Sequence, residues 1–538
     1  MTAEGVDVAV IGAGAAGLSA AGEAARLGAR VALLDDNRQP GGQYFRQPPA
    51  EFGAAAASKR DKDRARYEGL RAGLDSPLIS YHPGATVWDV PDPLTLAVAN
   101  GPRSGRIRAR AIVIAAGARD RAVAFPGWTL PGVMSAGGLQ NLIKGMGIAP
   151  PGPVVVAGNG PLLLVAAASL VRAGVRVAAV VESAKAPARS LRQAAKLVCA
   201  PSMLRRAAEY RAILLKVGTP ILYGKTIVAA QGDAELADVE IAAIDNLGRI
   251  DRRDIRRFEA RTLVTGYGLT PCLELPRLLG AEEDRLLLRG GSTPRRDARL
   301  MTSVPGVFAA GDGAAIGGVE ISLVEGRIAG IEAAVYAGTV AREGVQFALA
   351  RHRKTHRRLD RFRIGLERVF APPASWLGLL TPETIICRCE DVALCDLEAR
   401  MIANTANPLP LKAATRIGMG RCQGRNCLDA LAAILSERQG VSAQSIHMPR
   451  ARPPARPILL GDLLHEDLPA PELPSDPHLP RRRLFMTSCR GAWLTGSKPA
   501  SVTMPVSPSD MASPAALSTK IMCKKNTMPG AMTCGLPV

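Results

Sequence analysis

The chain has few of the features that mark several common classes of protein. Aromatic residues make up only 4% of its 538 residues, and no helix-turn-helix, zinc-finger or base-stacking motif is visible. Both observations argue against nucleic-acid binding, although the formal net charge is +20. Ten cysteines in so long a chain do not resemble a secreted disulfide framework, and the six histidines are scattered. No acid–base constellation stands out, so the catalytic residues stay unknown.

Segments that would direct the chain into or across a membrane are also missing. The first residues carry no basic region of a signal peptide and run directly into a strand and a glycine loop. The most apolar stretch, Pro153 to Val171, is interrupted by Gly158-Asn159-Gly160-Pro161, where a membrane span should be continuous. We expect a cytoplasmic protein, with peripheral association on the inner face of the membrane as an open alternative.

A dinucleotide-binding pattern of strand, glycine turn, helix and strand opens the chain. Its turn carries Gly12, Gly14 and Gly17, which permit a tight turn, close approach of a pyrophosphate and close packing of the helix on the strand. Asp35 ends the second strand, about 20 residues on, where an acidic side chain can hydrogen-bond a ribose hydroxyl, with Asp36 as the alternative. The pattern predicts a bound dinucleotide.

A second segment, residues 154–182, repeats this plan with a departure. Gly158 and Gly160 are present, but Leu163 stands where a third glycine would let the helix pack closely. Glu182 ends the following strand and favours an unphosphorylated ribose. The loop predicts an adenine nucleotide or NAD(P), and a vestigial nucleotide domain that binds nothing is the alternative.

Three further segments resemble motifs of the flavoprotein reductases that have two dinucleotide-binding domains. Ala309-Ala310-Gly311-Asp312 resembles their second flavin motif, whose acidic residue contacts the ribityl and pyrophosphate region. Ala115-Ala116-Gly117 and Thr265-Gly266-Tyr267-Gly268 resemble their crossover segments. The resemblance implies that the first loop binds FAD, with Gly117, Gly311 and Asp312 among the cofactor contacts.

The disulfide reductases of that superfamily place a redox-active cysteine pair beside the flavin. In this chain the first cysteine is Cys199, far beyond the first glycine loop. Electrons must therefore leave the flavin by another route.

Four later cysteines supply that route. They form a C-x-C pair and a C-x-x-x-x-C pair, and they are Cys387, Cys389, Cys422 and Cys427. Four thiolates suit an iron–sulfur cluster or structural zinc, but C-x-C is tighter than the spacing of most zinc ribbons. The glycines around Cys422 offer backbone N–H groups to sulfur. We favour a [2Fe–2S] cluster, with zinc and unligated thiols as alternatives, and expect Cys395 to lie in the core.

The two cysteine pairs also carry a specific resemblance. Cys387-Arg388-Cys389-Glu390 and the later segment from Gly418 to Cys427 resemble the bacterioferritin-associated-ferredoxin-like [2Fe–2S] domain. Together with the glycine loops and Gly41-Gly42-Gln43-Tyr44-Phe45-Arg46, they resemble the large flavoprotein subunit of three enzyme types. These are opine oxidase, hydrogen cyanide synthase and dye-linked proline or hydroxyproline dehydrogenase. The resemblance covers about residues 6–463 and adds Gly42, Gln43 and Arg46 to the cofactor contacts.

This resemblance implies a function. The chain is expected to be the FAD- and [2Fe–2S]-containing subunit of an enzyme that oxidises a C–N bond of an amino acid, imino acid or opine. Its electrons would pass to a quinone or dye. The implied partners are a flavoprotein subunit of the amino-acid-oxidase type and, as a further candidate, a small ferredoxin-like subunit. A self-contained NAD(P)H-dependent flavoprotein reductase and a non-catalytic iron–sulfur scaffold or sensor are the alternatives.

The expected fold class is α/β, with two Rossmann-like dinucleotide-binding domains and a small C-terminal [2Fe–2S] domain. A basic helical connector should precede the last domain; its cations could dock an acidic partner or anionic lipid, but a solvated face is favoured. The tail is rich in Pro, Ser, Met and Lys, so we expect disorder after about residue 470. The predicted parts are the FAD-binding domain (1–145 and 255–345), the inserted nucleotide-binding domain (146–254), the connector (346–380), the [2Fe–2S]-binding domain (381–440) and the extension (441–538).

Overall fold

The computed structural model describes most of the chain up to residue 463. The described residues are 5–48, 62–101, 104–185, 197–198, 200–286, 291–402, 407–442, 445–446, 449 and 451–463. They all belong to one compact unit, residues 1–468. The disorder expected after about residue 470 lies outside the described residues.

Twenty-one strands are described. In chain order they are β1 Gly5–Ile11, β2 Val31–Asp35, β3 Ile79–Pro83, β4 Thr86–Asp92, β5 Thr95–Ala99, β6 Gly105–Ile114, β7 Ala118–Asp120, β8 Val133–Ser135, β9 Val154–Gly158, β10 Val177–Glu182, β11 Ile221–Tyr223, β12 Lys225–Gln231, β13 Asp238–Ile244, β14 Ile250–Glu259, β15 Thr262–Gly266, β16 Leu269–Pro271, β17 Glu283–Leu286, β18 Gly291–Pro294, β19 Val307–Ala309, β20 Ile385–Cys387 and β21 Val392–Ala393.

Twelve α-helices are described, besides several single turns. They are α1 Ala15–Arg26, α2 Lys62–Ala72, α3 Ala136–Gln140, α4 Leu162–Arg172, α5 Pro201–Lys216, α6 Glu274–Leu278, α7 Val319–Tyr336, α8 Gln346–Val369, α9 Leu394–Glu398, α10 Leu409–Thr415, α11 Leu428–Gln439 and α12 Leu460–Leu463.

The first sheet has the order β3-β2-β1-β6-β5-β4, and β19 pairs with β6. Its centre is parallel: Val8 of β1 pairs with Val31 of β2, and Val307 of β19 pairs with Ile112 of β6. All five residues of β2 are buried, as expected for a parallel strand that is covered on both faces. The glycine loop follows β1, so the carboxyl ends of β1, β6 and β19 meet beside it.

Helices α1 and α7 pack together unusually closely over this sheet. A Cβ atom on Gly326 would overlap the carbonyl oxygen of Ala16, and one on Gly330 would overlap that of Ala20. The α1 face is made of alanines, so the two backbones approach without intervening side chains. This contact fixes the start of α1, and hence the glycine loop, against the part of the chain that carries the second flavin motif.

The second sheet is parallel, with the order β11-β10-β9-β15-β8, and an antiparallel sheet of β12, β13 and β14 lies beside it in the sequence. Strand β15 pairs with β9 from Thr262 to Gly266, and β8 pairs with β15. Strands β8 and β15 both fall outside the segment 146–254 expected for the inserted domain. The sheet therefore extends past the predicted boundaries on both sides, because two short strands complete it from the flanking chain.

A small third region contains the four cysteines. Strands β20 and β21 form a two-stranded sheet, and helices α9, α10 and α11 surround a core that includes Leu397, Leu431 and Leu435. Trp128 packs against this core, and its indole Nε1 donates a hydrogen bond to the carbonyl oxygen of Ile385, at 2.6 Å. The region is thus anchored to the segment that leads into the second sheet.

The basic connector forms helix α8, which packs on α7. The side of α8 that faces α7 carries an ion pair: Arg353 Nη2 lies 2.8 Å from Oε1 of the buried Glu332. Its outer side carries a set of exposed cations that have no ion-pair partner among the described residues. This set, the α8 cation stripe, comprises Arg351, Lys354, Arg357, Arg358 and Arg361. The helix is therefore part packing surface and part solvated face.

Within the described ranges, no helix combines the length and the apolar character that a bilayer-spanning helix needs.

The α1–α7 contact leads to a stability prediction. We expect Gly326→Ala to lower the free energy of unfolding by about 1–3 kcal/mol, because the new methyl group overlaps the Ala16 carbonyl. Gly22→Ala, in the interior of α1 where a Cβ meets nothing within 4 Å, should instead raise it by about 0.5–1 kcal/mol. Denaturant unfolding of the FAD-loaded protein measures both, and equal effects of the two substitutions would contradict the packing argument.

Candidate functional site

The first glycine loop is built by contacts that exclude side chains. Gly12 has a φ of +101°, and a Cβ there would overlap the carbonyl oxygen of Ala115 at the end of β6. A Cβ on Gly17 would overlap the carbonyl oxygen of Gly12. Gly14 precedes the first residue of α1. A Cβ on Gly42 would lie 2.8 Å from the Cα of Gly14. Bare backbone therefore forms a cradle at the N-terminus of α1, which suits a pyrophosphate.

Asp35 braces this loop from the end of β2. Its buried carboxylate accepts hydrogen bonds from the backbone N–H of Ala13, at 2.5 Å, and of Asn37, at 2.7 Å. Burial raises the pKa of Asp35, although these hydrogen bonds oppose the shift. Asp36, the alternative, is exposed and lies 3.5 Å from Arg456. The contact of Asp35 with a ribose stays a prediction, and its bracing role was not foreseen.

The segments that resemble flavin motifs meet beside this loop. A Cβ on Gly313 would lie 2.8 Å from the backbone nitrogen of Gly117, so the turn after β19 lies directly on the crossover segment. Gln43 donates a hydrogen bond to the carbonyl oxygen of Ala118, at 2.6 Å. The structure thus brings together the three sequence-distant segments 41–46, 115–117 and 311–313.

Two of the expected cofactor contacts have protein partners of their own. The carboxylate of Asp312 accepts hydrogen bonds from the backbone N–H groups of Gly317 and Gly318, both at 2.8 Å, and burial raises its pKa. Arg46 hydrogen-bonds the side chain of Asn141, in the helical turn after α3. Arg46 is therefore directed towards the second dinucleotide fold.

A buried ion network beneath the second flavin motif was missed by the sequence reasoning. The carboxylate of Glu325 accepts a hydrogen bond from the N–H of Gly311, at 2.9 Å, and lies 2.9 Å from Arg296 and 3.1 Å from His356. Burial opposes ionisation, but Arg296 and His356 outweigh it and lower the pKa of Glu325 to about 2. Arg296 also donates to the carbonyl oxygen of Ala309, at 2.8 Å. The network fixes the turn at Gly311 from both sides.

The second loop repeats the bracing arrangement. The carboxylate of Glu182 accepts hydrogen bonds from the backbone N–H of Gly160, at 2.8 Å, and of Ala184, at 2.9 Å. Burial raises the pKa of Glu182 to about 7. A Cβ on Gly158 would overlap the carbonyl oxygen of Gly266. Leu163 is buried in the apolar core against Gly266, so the missing third glycine is replaced by side-chain packing.

The four predicted ligand cysteines lie together in the third region. Cys389 and Cys422 are within hydrogen-bonding reach of each other, as are Cys387 and Cys427, and the two pairs adjoin. Cys387 and Cys427 are buried, and Cys389 is exposed. Across the described residues, no group of three or more His, Cys, Asp or Glu side chains is arranged as a formed metal cage. The structure therefore gathers the four thiols, which are distant in the sequence, at one place.

Backbone N–H groups surround these sulfurs. Burial opposes ionisation of Cys422, but the N–H groups of Asn426, Gly424 and Arg425, together with the thiol of Cys389, outweigh it and lower its pKa. The N–H of Gly418 is directed at Cys427 in the same way, although burial raises the pKa of Cys427. The donor set fits a group bound by thiolates, because hydrogen bonds to sulfur stabilise negative charge there.

The backbone at Gly420 passes close to one of these cysteines. A Cβ on Gly420 would overlap the Cβ of Cys389.

Two other cysteines differ in position. Cys395 is exposed on α9, so the prediction that it belongs to the core is wrong; the apolar face of that short helix buries Leu394 and Leu397 instead. Cys272 is buried, and its N–H donates to the carbonyl oxygen of Gly117, at 3.0 Å.

Comparisons with known proteins agree with these features. A model of the pyridine nucleotide-disulphide oxidoreductase family matches residues 6–338. The A subunit of opine oxidase from Agrobacterium tumefaciens (strain Ach5) is 33% identical over 482 residues, which cover 85% of this chain and 91% of that protein. The HcnB subunit of hydrogen cyanide synthase from Pseudomonas aeruginosa is 34% identical over 428 residues, covering 78% of this chain and 90% of that protein.

A solved structure shares the fold. The crystal structure of L-proline dehydrogenase from P. horikoshii superimposes with a TM-score of 0.61 at 21% sequence identity. The match covers 86% of this chain and 79% of that one.

The Glu325 network predicts an acid-sensitive stabilisation. We expect Glu325→Gln to lower the free energy of unfolding by about 3 kcal/mol at neutral pH, because it leaves Arg296 buried without a counter-ion. Since the folded-state pKa of Glu325 is about 2, below its ordinary 4.5, this stabilisation is complete above pH 4.5 and is lost as pH falls towards 2. The difference between wild type and variant should therefore shrink over that window.

Denaturant unfolding at several pH values, with released FAD followed by fluorescence, measures this difference. Glu209→Gln is the control, since its pair with Arg205 is exposed and should contribute less than about 1 kcal/mol. A difference between wild type and Glu325→Gln that stays constant from pH 5 to pH 2.5 would contradict the prediction.

Proposed function

We propose that this chain, an FAD-dependent oxidoreductase that belongs to the pyridine nucleotide-disulphide oxidoreductase family, is the FAD- and [2Fe–2S]-containing subunit of an amine-oxidising enzyme built from several subunits. In this proposal the enzyme oxidises a C–N bond of an amino acid, imino acid or opine and delivers the electrons to a quinone or dye. The observation that carries the proposal is the gathering of four cysteines, with N–H donors at their sulfurs, in a chain that has the complete first flavin loop.

The residues expected to hold FAD come from segments that meet beside the first glycine loop. Backbone from Gly12 to Gly17 would bind the pyrophosphate, Asp35 would fix the loop and approach a ribose, and Asp312 would lie at the ribityl side. Gln43 and the backbone at Gly117 would line the far side, since Gln43 is held there by the carbonyl oxygen of Ala118. Bare backbone at the N-terminus of α1, with no side chain on Gly12, Gly14 or Gly17, suits a pyrophosphate, and this fit supports FAD in the first fold.

The spacing of the cysteines favours an iron–sulfur cluster over zinc, because C-x-C is tighter than the spacing of most zinc ribbons. Several backbone N–H groups are directed at the sulfurs, and such hydrogen bonds are one factor that sets the potential of a cluster. When bound, FAD exchanges two electrons with its donor and a [2Fe–2S] cluster carries one, which suits their pairing in the same chain. Cys387, Cys389, Cys422 and Cys427 would be the ligands.

Substrate oxidation is assigned to a partner protein. The two close relatives are named as subunits, which supports an enzyme of several chains. We propose an amino-acid-oxidase-like flavoprotein as the partner and, as a further candidate, a small ferredoxin-like subunit, in the cytoplasm or peripherally on the inner face of the membrane.

A second candidate function is a self-contained NAD(P)H-dependent reductase. The braced loop of Gly158, Gly160 and Glu182 favours it, because that loop keeps the backbone geometry of a nucleotide site. The acidic strand end would select an unphosphorylated ribose, which means NADH or another adenine nucleotide.

Metal analysis of protein purified without oxygen tests the cluster. We expect about two iron atoms and about two sulfides per chain. Cys389→Ser should lower the iron content several-fold, because it removes one ligand. Cys395→Ser is the matched control, as Cys395 is also exposed and lies on the neighbouring helix; it should leave the iron content unchanged. Zinc, or no metal, in the wild-type protein would contradict the proposal.

Anaerobic stopped-flow absorbance distinguishes the two candidate functions. In the isolated chain we expect NADH not to bleach the flavin, because its reducing equivalents are proposed to come from the partner flavoprotein. Bleaching should occur when the partner flavoprotein and its amine substrate are both added. Rapid bleaching by NADH in the isolated chain would instead establish the reductase.

A further inference from the structure

Three charged side chains lie between the segments that resemble flavin motifs and the loop from Gly418 to Cys427, which we call the cysteine loop. They are Arg119 on β7, Glu274 at the start of α6, and Arg425 between two of the predicted ligand cysteines. Arg425 Nε lies 2.5 Å from Glu274 Oε1, and Arg119 Nη1 lies 3.7 Å from the same oxygen. Their side chains are only 24%, 18% and 17% exposed, in the order Arg119, Glu274 and Arg425. One carboxylate is thus shared by two largely desolvated guanidinium groups.

The two arginines also bind backbone on both sides of this contact. Arg119 Nε donates to the carbonyl oxygen of Arg425, at 3.2 Å, and its Nη1 to that of Pro271, at 3.1 Å. Arg425 donates to the carbonyl oxygens of Cys422, at 3.2 Å, and Ala455, at 2.7 Å. The cysteine loop is therefore tied through side chains to β7, β16 and the segment near residue 455.

The same strands contact the flavin side. Strand β7 begins one residue after Gly117 and pairs with β16. Gln43 donates to the carbonyl oxygen of Ala118, and the N–H of Cys272, just after β16, donates to that of Gly117. A single two-stranded unit thus touches the expected FAD contacts at one end and the cysteine loop at the other.

The charges of the triad have a direct electrostatic consequence. Within the triad, two arginines and one glutamate leave a net charge of about +1, in a poorly solvated position where charges are weakly screened. A nearby positive charge favours the form of a redox centre that carries the additional electron. Removing a negative charge and removing a positive charge from this triad must therefore have opposite effects on such a centre.

We propose that Arg119, Glu274 and Arg425 are positioning residues that clamp the cysteine loop onto the flavin-contacting strands and set the reduction potential of the group held by the cysteines. The proposal rests on the iron–sulfur function above. The carboxylate holds the two arginines together, and the arginines raise the potential of the cluster. The clamp thereby fixes both the position of the loop and the direction in which electrons are favoured to move.

Redox titration of the full-length, oxygen-free protein, followed by EPR, tests the clamp. Glu274→Gln should raise the midpoint potential of the cluster, because it removes a negative charge. Arg425→Gln and Arg119→Gln should each lower it, and Arg425→Lys, which keeps the charge, should leave it near the wild-type value. Loosening of the loop alone would not shift the potential in opposite directions for Glu274→Gln and Arg425→Gln.

The control is Glu398→Gln, which removes a carboxylate paired with the exposed Arg438 in the same region. It should leave the potential unchanged, since that pair is screened by solvent. Iron and FAD contents and the unfolding midpoint of each variant report on folding, and Arg119→Gln takes the place of Arg425→Gln if that variant loses its iron. The proposal is overturned if Glu274→Gln and Arg425→Gln shift the midpoint potential in the same direction, or if neither shifts it. A wild-type protein without iron overturns the proposed function itself.

Discussion

Close approach of one backbone to another around the first glycine loop is the constraint on which the rest of this structure depends. Gly12 lies on the end of β6, Gly17 on Gly12, and Gly326 on the first turn of α1. These contacts bring β1, β6, β19, α1 and α7 to one point. Because no side chain separates them, the bare-backbone loop is positioned by the packing of the fold itself, and the residues around it serve mainly to hold that packing.

Buried carboxylates reinforce the same constraint. Asp35 and Glu182 each accept hydrogen bonds from backbone N–H groups of the glycine loop of their own fold, and Glu325 does so for the turn at Gly311. Asp35 and Glu182 both have only neutral donors among their described hydrogen-bond partners, and burial raises the pKa of each. Glu325 differs, because Arg296 and His356 lie beside it and lower its pKa. The two dinucleotide folds therefore brace their glycine loops in the same way, and the ion network is a separate feature of the turn at Gly311.

Sequence patterns predicted the parts of this architecture that rest on short spacing. The glycine turns, the basic helix and the α/β class are local or periodic features, and the structure and the family comparison confirm the class. The networks were missed because their members are far apart in the sequence: Arg119 meets Arg425 across 306 positions. Strands β8 and β15, with three and five residues, carry too little pattern to show which sheet they join, so the predicted limits 146–254 did not include them.

The α8 cation stripe has a consequence for how the protein meets other molecules. Its five side chains are neither neutralised within the described residues nor buried, so their field extends into solvent, over about 10 Å at 0.1 M salt. Anionic surfaces are drawn towards this face before any contact forms, and the rate of such encounters falls as ionic strength rises. Nucleic acid or acidic protein at high concentration would compete for the same face. Raising the salt concentration would slow all of these encounters, because it screens the charges of the stripe.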